Sequence, residues 1–138
     1  MDQVEVLESS VKRNPENVSL PDMRAEVVGA VRALSDPEHQ RLVWIERKFP
    51  STEYFEDFTI NVNILDDAAV LDHPHTTIGY TLASEEEAEA MSRLAECLDA
   101  VLRTTGEGAT DQQIIADPLW VGVVDAARSA LHLLTRHG

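Results

Sequence analysis

The chain has 138 residues, of which 43% are hydrophobic and 26% charged, and its 25 acidic against 11 basic residues give a net charge of −14. A chain of this length forms one domain whose core needs neither disulfides nor a metal. The composition argues against disorder, and no apolar run reaches the roughly 20 residues of a membrane span. The start, MDQVEVLESS, is acidic and unlike a secretory signal. We therefore expect a cytoplasmic protein.

The charge is unevenly distributed. Residues 49–138 hold 16 acids and 4 bases, and the stretch from Glu53 to Glu89 contains ten acids and no Lys or Arg. Such a surface repels nucleic acids and anionic membranes, so neither is an expected partner. It attracts a basic protein partner, although the same charge also serves solubility alone. The single cysteine, Cys97, can form no internal disulfide, which agrees with a reducing compartment.

Four helices are predicted from apolar periodicity and from residues that favour helix ends. They cover residues 21–35, residues 37–48, residues 84–104 and a last segment after Asp117-Pro118. Ser84 begins a capping box, in which its hydroxyl and a glutamate three residues later satisfy the first amides of the helix. In the first helix the apolar face is assigned to Val27, Val31 and Leu34, and the polar face to Arg24, Glu26 and Arg32.

The segment between the second and third helices alternates apolar and polar residues. Phe58, Ile60, Val62 and Ile64 are separated by polar side chains, which is typical of a strand with one wet face. Asp66-Asp67 then reads as a turn, residues 68–71 as a return strand, and residues 78–82 as an optional third strand. The predicted fold class is α+β, with about four helices packed on a small antiparallel sheet. One globular domain is expected at residues 20–138, after a flexible arm at residues 1–19.

Several motifs resemble a known family. They are Pro21 to Val28, Ala33 to Pro37 followed by His39-Gln40 and Trp44, Asn61 to Leu65, and Ala116-Asp117-Pro118-x-Trp120. Over roughly residues 20–134 the chain is similar to a family of small acidic uncharacterised proteins of Streptomyces and related actinobacteria. The resemblance implies an intracellular, stand-alone domain. Because the family has no established activity, it implies no catalytic residues.

Aromatic residues interleaved with acids form the predicted partner-binding surface. Exposed aromatic side chains rimmed by charges are typical of protein interfaces. The alternative is that these aromatics cap the core from a connecting loop. The predicted surface comprises Glu53, Tyr54, Phe55, Glu56, Asp57, Asp66 and Asp67.

Asp72, His73 and His75 are the candidate metal ligands, since imidazoles and carboxylates bind zinc and similar ions. No helical pair of histidines and no paired cysteines support them, and we expect no cofactor and no catalytic residue. The predicted function is a non-enzymatic cytoplasmic domain that binds a basic protein, for example an immunity protein or antitoxin. The alternative is a small metal-dependent hydrolase centred on the loop of His73 and His75. A homodimer is compatible with either.

Overall fold

The computed structural model describes residues 18–136, and in this range the regular secondary structure consists of helices joined by turns and loops. The short α-helix Pro37–His39 continues directly as a π-helix at Gln40–Ile45, and a short 3-10 helix, Pro74–Thr77, precedes the long α-helix Glu85–Thr105. Within the described residues no helix has both the length and the apolar character needed to cross a membrane. The α-helices are α1 (Pro21–Leu34), α2 (Pro37–His39), α3 (Phe58–Asp67), α4 (Glu85–Thr105), α5 (Asp111–Ala116) and α6 (Trp120–Thr135).

The predicted α+β class is wrong, because the segment predicted as the first strand is α3. Asp57 caps this helix by accepting a hydrogen bond from the amide of Ile60. The buried side chains are Phe58, Asn61 and Leu65, which recur at helical spacing. The central buried position is occupied by a polar residue, Asn61. Counting apolar residues alone therefore does not reveal the helical period of this segment.

The other predicted strands are turns. Residues 68–71 leave the end of α3 through Ala69, whose φ of 62° lies in the left-handed region. In residues 78–82 an isolated bridge between Ile78 and Leu82 is the extent of β pairing across the described chain. The antiparallel sheet is therefore absent from residues 18–136.

The helix ends predicted at Asp36, Ser84 and Gly106 are confirmed. The capping box at Ser84 is only half formed, because the carboxylate of Glu87 accepts from the amide of Ala83 and not from that of Ser84. Asp36 accepts a hydrogen bond from the amide of His39, and Ser84 accepts one from the amide of Glu87. Helix α4 ends at Gly106, whose φ of 80° is readily adopted without a Cβ. These ends follow from contacts between residues that are close in the sequence.

The core lies where α1, α4 and α6 pack together, with α3 covering α1. Three aromatic rings close its end, with Trp44, Phe58 and Trp120 meeting edge to face at centroid distances of 5.9–6.2 Å. Both tryptophans are buried, so they belong to the core. The largest fully buried apolar side chains are Leu34, Leu65, Leu82, Met91, Leu94, Val27, Val31, Val70, Val101 and Val123.

Arg24 does not lie on the polar face to which the sequence assigned it. Its side chain is 6% exposed and forms two hydrogen bonds of 2.9 Å with the carboxylate of Glu87. The guanidinium also donates to the backbone oxygens of Thr81 and Leu134. A second donor to Glu87 is the amide of Ala83. One ion pair therefore joins α1, the start of α4 and the end of α6.

The N-terminal arm predicted at residues 1–19 lies outside the described residues except for its last two. Val18 is buried, and the amide of Ser19 donates to the carbonyl of Gly79. The chain is thus packed against the 78–82 turn before α1 begins.

Replacing Arg24 with alanine should lower the free energy of unfolding by about 3–5 kcal/mol, because the charge of Glu87 would stay buried without its cationic partner. Arg32→Ala, on the exposed side of α1, should change it by no more than about 0.5 kcal/mol. The double variant Arg24→Met/Glu87→Met should regain much of the loss, since no unpaired charge remains. Urea unfolding monitored by circular dichroism measures all three. Equal stability of Arg24→Ala and Arg32→Ala would show that the buried pair is not required.

Candidate functional site

The loop between the π-helix and α3 carries two exposed aromatic side chains. Tyr54 is 41% exposed and Phe55 is 46% exposed, although both are large and mostly apolar. Together with the cleft beside them, these two residues are called the aromatic surface below.

Neighbouring residues hold both rings in place. Phe49 packs against Tyr54 and Phe55 at centroid distances of 5.9 and 5.7 Å. The guanidinium carbon of Arg47 lies 5.3 Å from the centroid of the Phe55 ring, within the range of a cation–π contact. Arg47 has a φ of 58°, a left-handed conformation that ends the helical segment. The rings are therefore packed against neighbouring side chains as well as exposed.

Glu56, next in the chain, points inward and anchors the loop. Its carboxylate accepts hydrogen bonds from Trp44 Nε1 at 2.8 Å, Asn61 Nδ2 at 3.0 Å and the hydroxyl of Tyr54. The Nε2 atom of His39 lies 2.7 Å from the same carboxylate. Because an ionised carboxylate only accepts, this nitrogen carries the proton. The residue is 7% exposed, so these bonds replace its lost water.

The hydrogen bonds decide the charge of Glu56. Burial by itself would raise its pKa, but the four donors favour the charged form more strongly and lower the pKa from 4.5 to about 2. The opposite shift occurs at Tyr54. Its hydroxyl donates to Glu56, and together with burial this raises the pKa of Tyr54 to about 12. Glu56 is thus a permanently charged structural group near neutral pH.

A cleft of about 360 Å³ lies between α1 and α3 beside the two rings. The wall of the cleft is largely apolar. The exposed carboxylate of Glu26, on α1, forms part of it. The cleft is lined by Glu26, Gly29, Ala30, Tyr54, Phe55, Glu56, Ile60, Asn61 and Ile64.

The seven residues predicted for the partner surface do not form one continuous patch. Glu53 is exposed beside the aromatic pair, and Glu56 is interior. Asp57 is occupied as the cap of α3. Asp66 belongs to a separate acidic group. Burial together with the charges of Asp72, Asp67 and Asp99 raises its pKa.

The metal candidates are also rearranged. Among residues 18–136, the group whose ligand atoms converge is His75, Glu85 and Glu89. His73 and Asp72, which the sequence placed with His75, are not part of it. The two glutamates looked like ordinary first-turn charges of α4, so spacing alone did not connect them with the histidine.

The donors to Glu56 were not recognised from the sequence. His39 and Trp44 belong to the motif shared with the similar family, and Asn61 starts another of its motifs, but no spacing rule brings them to one carboxylate. Only the packing of the π-helix against α3 does so.

Glu56→Gln should reduce stability at neutral pH, because an amide cannot accept from all four donors. The wild type should lose stability as the pH falls from about 4.5 to about 2, where the folded protein still holds the carboxylate ionised. In Glu56→Gln this part of the acid dependence should disappear. Urea midpoints measured across this pH range test both effects, with exposed Glu53→Gln as the control. An identical acid profile of Glu56→Gln and wild type would be incompatible with this role.

Comparison with known proteins gives one match. A family model described as a domain of unknown function, DUF7945, matches residues 18–138. No curated protein and no solved structure matches the chain. The expectation of an uncharacterised family is confirmed in this form, and its actinobacterial distribution stays a prediction. Because the match covers most of the sequence, the chain belongs to the DUF7945 family.

Proposed function

We propose that this protein is a non-enzymatic binding domain that receives a basic protein segment on the aromatic surface. The observation that carries the proposal is the pair Tyr54 and Phe55, which are exposed and held in position at the same time. Ordered aromatic anchors lose little conformational entropy on binding, and they are frequent among the residues that dominate interface energies.

Charge supports a basic partner. The stretch from Glu53 to Glu89 contains no Lys or Arg, and Glu26 stands at the adjoining cleft. The basic residues near the loop are partly neutralised, since Glu46 pairs with both Arg41 and Lys48. A cationic segment would be drawn to this side by the long-range field and then held by contact with the rings.

The concrete form that we propose is an immunity protein or antitoxin that covers a cationic toxin. Blocking such a protein requires shape and charge complementarity and no chemistry. The alternative, a metal-dependent hydrolase at His73 and His75, stays a prediction, and the separation of His73 from the converging ligand group gives it no support.

Phe55→Ala should weaken binding of the partner by about 30-fold or more, the loss expected for a central aromatic anchor. The matched control is Tyr80→Ala, since Tyr80 is 55% exposed but lies on the 78–82 turn. Wild type and both variants are immobilised and exposed to lysate of the source organism at low salt. A basic protein retained by wild type and Tyr80→Ala and lost from Phe55→Ala is then purified for affinity measurement. Retention that never depends on Phe55 would refute the assignment of this surface.

Glu26→Lys/Glu53→Lys should slow association of that purified partner and leave its dissociation rate nearly unchanged, because exposed charges beside the aromatic surface act mainly by steering. The control is Glu96→Lys/Asp125→Lys, an equal charge change at the separate cleft between α4 and α6. Surface plasmon resonance over a series of salt concentrations measures both rates. Slowing by the control to the same extent would show that net charge, and not the position of the acids, attracts the partner.

A further inference from the structure

The 3-10 helix Pro74–Thr77 places a histidine beside the first turn of α4. Pro74 and Thr77 are buried, and the hydroxyl of Thr77 donates to the carbonyl of Pro74. Thr76 likewise donates to the carbonyl of His73. Buried side chains and local hydrogen bonds therefore hold the backbone of this turn, and His75 is exposed to solvent.

Two glutamates of α4 meet this histidine. Glu85 and Glu89 are four residues apart and thus share one face of the helix. His75 Nε2 lies 3.0 Å from a carboxylate oxygen of Glu85. One ligand atom from each of the three residues lies within 4.8 Å of the other two. Ligands bound at about 2.0–2.2 Å from a common zinc ion lie less than about 4.5 Å apart, so small rotations of exposed side chains suffice.

The electrostatics of this group favour an added cation. Glu85 and Glu89 are like charges at a spacing where they repel one another. Within residues 18–136 no Lys or Arg forms an ion pair with either glutamate, and His75 is the one basic group recorded in contact with Glu85. The neighbouring Glu86 is paired with Arg136 and Glu87 with Arg24. Among the described residues, two of the four acids at this end of α4 therefore pair with an arginine, and the two that face His75 do not.

We propose that His75, Glu85 and Glu89 bind a divalent transition-metal cation of the zinc type. Such ions accept both imidazole nitrogen, a ligand of borderline softness, and carboxylate oxygen, a hard ligand. Three protein ligands leave at least one coordination position for water. The bound ion links the 3-10 helix to α4. The site is independent of the aromatic surface and differs from the loop site expected from Asp72, His73 and His75.

The test titrates Zn²⁺ into the untagged full-length protein by calorimetry and repeats the titration with Co²⁺ followed by visible absorption. We expect saturable binding of one ion per chain. His75→Ala and Glu89→Gln should each weaken it by more than the roughly 10–100-fold that loss of an outer-shell partner costs. His73→Ala is the matched control for the histidine and Glu96→Gln for the glutamate, and both should retain wild-type affinity.

The same samples give a second readout. Because the ion binds the folded protein, Zn²⁺ should raise the melting temperature of wild type, His73→Ala and Glu96→Gln but not of His75→Ala. Absence of saturation below ~1 mM Zn²⁺ would overturn the proposal. Binding that persists in His75→Ala, or that is lost in His73→Ala, would overturn it as well, since the ion would then be held by other groups.

Discussion

The ion pair between Arg24 and Glu87 is the constraint on which the arrangement of the helices depends. Removing two charges from water is costly, and the cost is offset only if every polar atom finds a partner. Here the guanidinium reaches Glu87 and the carbonyls of Thr81 and Leu134, while Glu87 also accepts from Ala83. These partners come from widely separated parts of the chain. In this arrangement of α1, α4 and α6 both charged groups are satisfied, whereas a displacement of any of these helices would remove a partner from the pair.

Two further buried polar side chains act in the same way at the other end of the core. Gln40 donates to the carbonyls of Ala33 and Leu34 at the end of α1 and accepts from the indole of Trp120. Glu56 collects its four donors from the π-helix region, the loop and α3. The segment between these two residues is anchored at both ends, and it exposes Tyr54 and Phe55 to solvent.

Interior hydrogen bonds of the arginines also affect the charge of the protein surface. Arg24 pairs with the buried carboxylate of Glu87, and Arg128 donates to the carbonyl of Ser35. Among the described acids, Glu56 and Glu87 are interior, but Glu53, Asp67, Glu85 and Glu89 remain exposed. The exposed acids fall into separate groups. Glu53 and Glu26 lie beside the aromatic surface, where a basic protein is proposed to bind, and Glu85 and Glu89 meet His75, where a metal ion is proposed.

The sequence by itself determined what local chemistry controls. Asp36, Ser84 and Gly106 mark helix ends because capping depends on a few neighbouring residues, and the long apolar stripe of α4 indicates its helix directly. Tertiary structure decided the rest. Asn61 can be buried because its amide donates to Glu56 and to the carbonyl of Asp57, so a count of apolar residues misses the helical period of α3. Arg24 looked like a surface residue because its partner lies 63 positions away. The convergence of His75 with Glu85 and Glu89 is also hidden in the sequence, because the packing of the 3-10 helix against α4 creates it and residue spacing does not encode it.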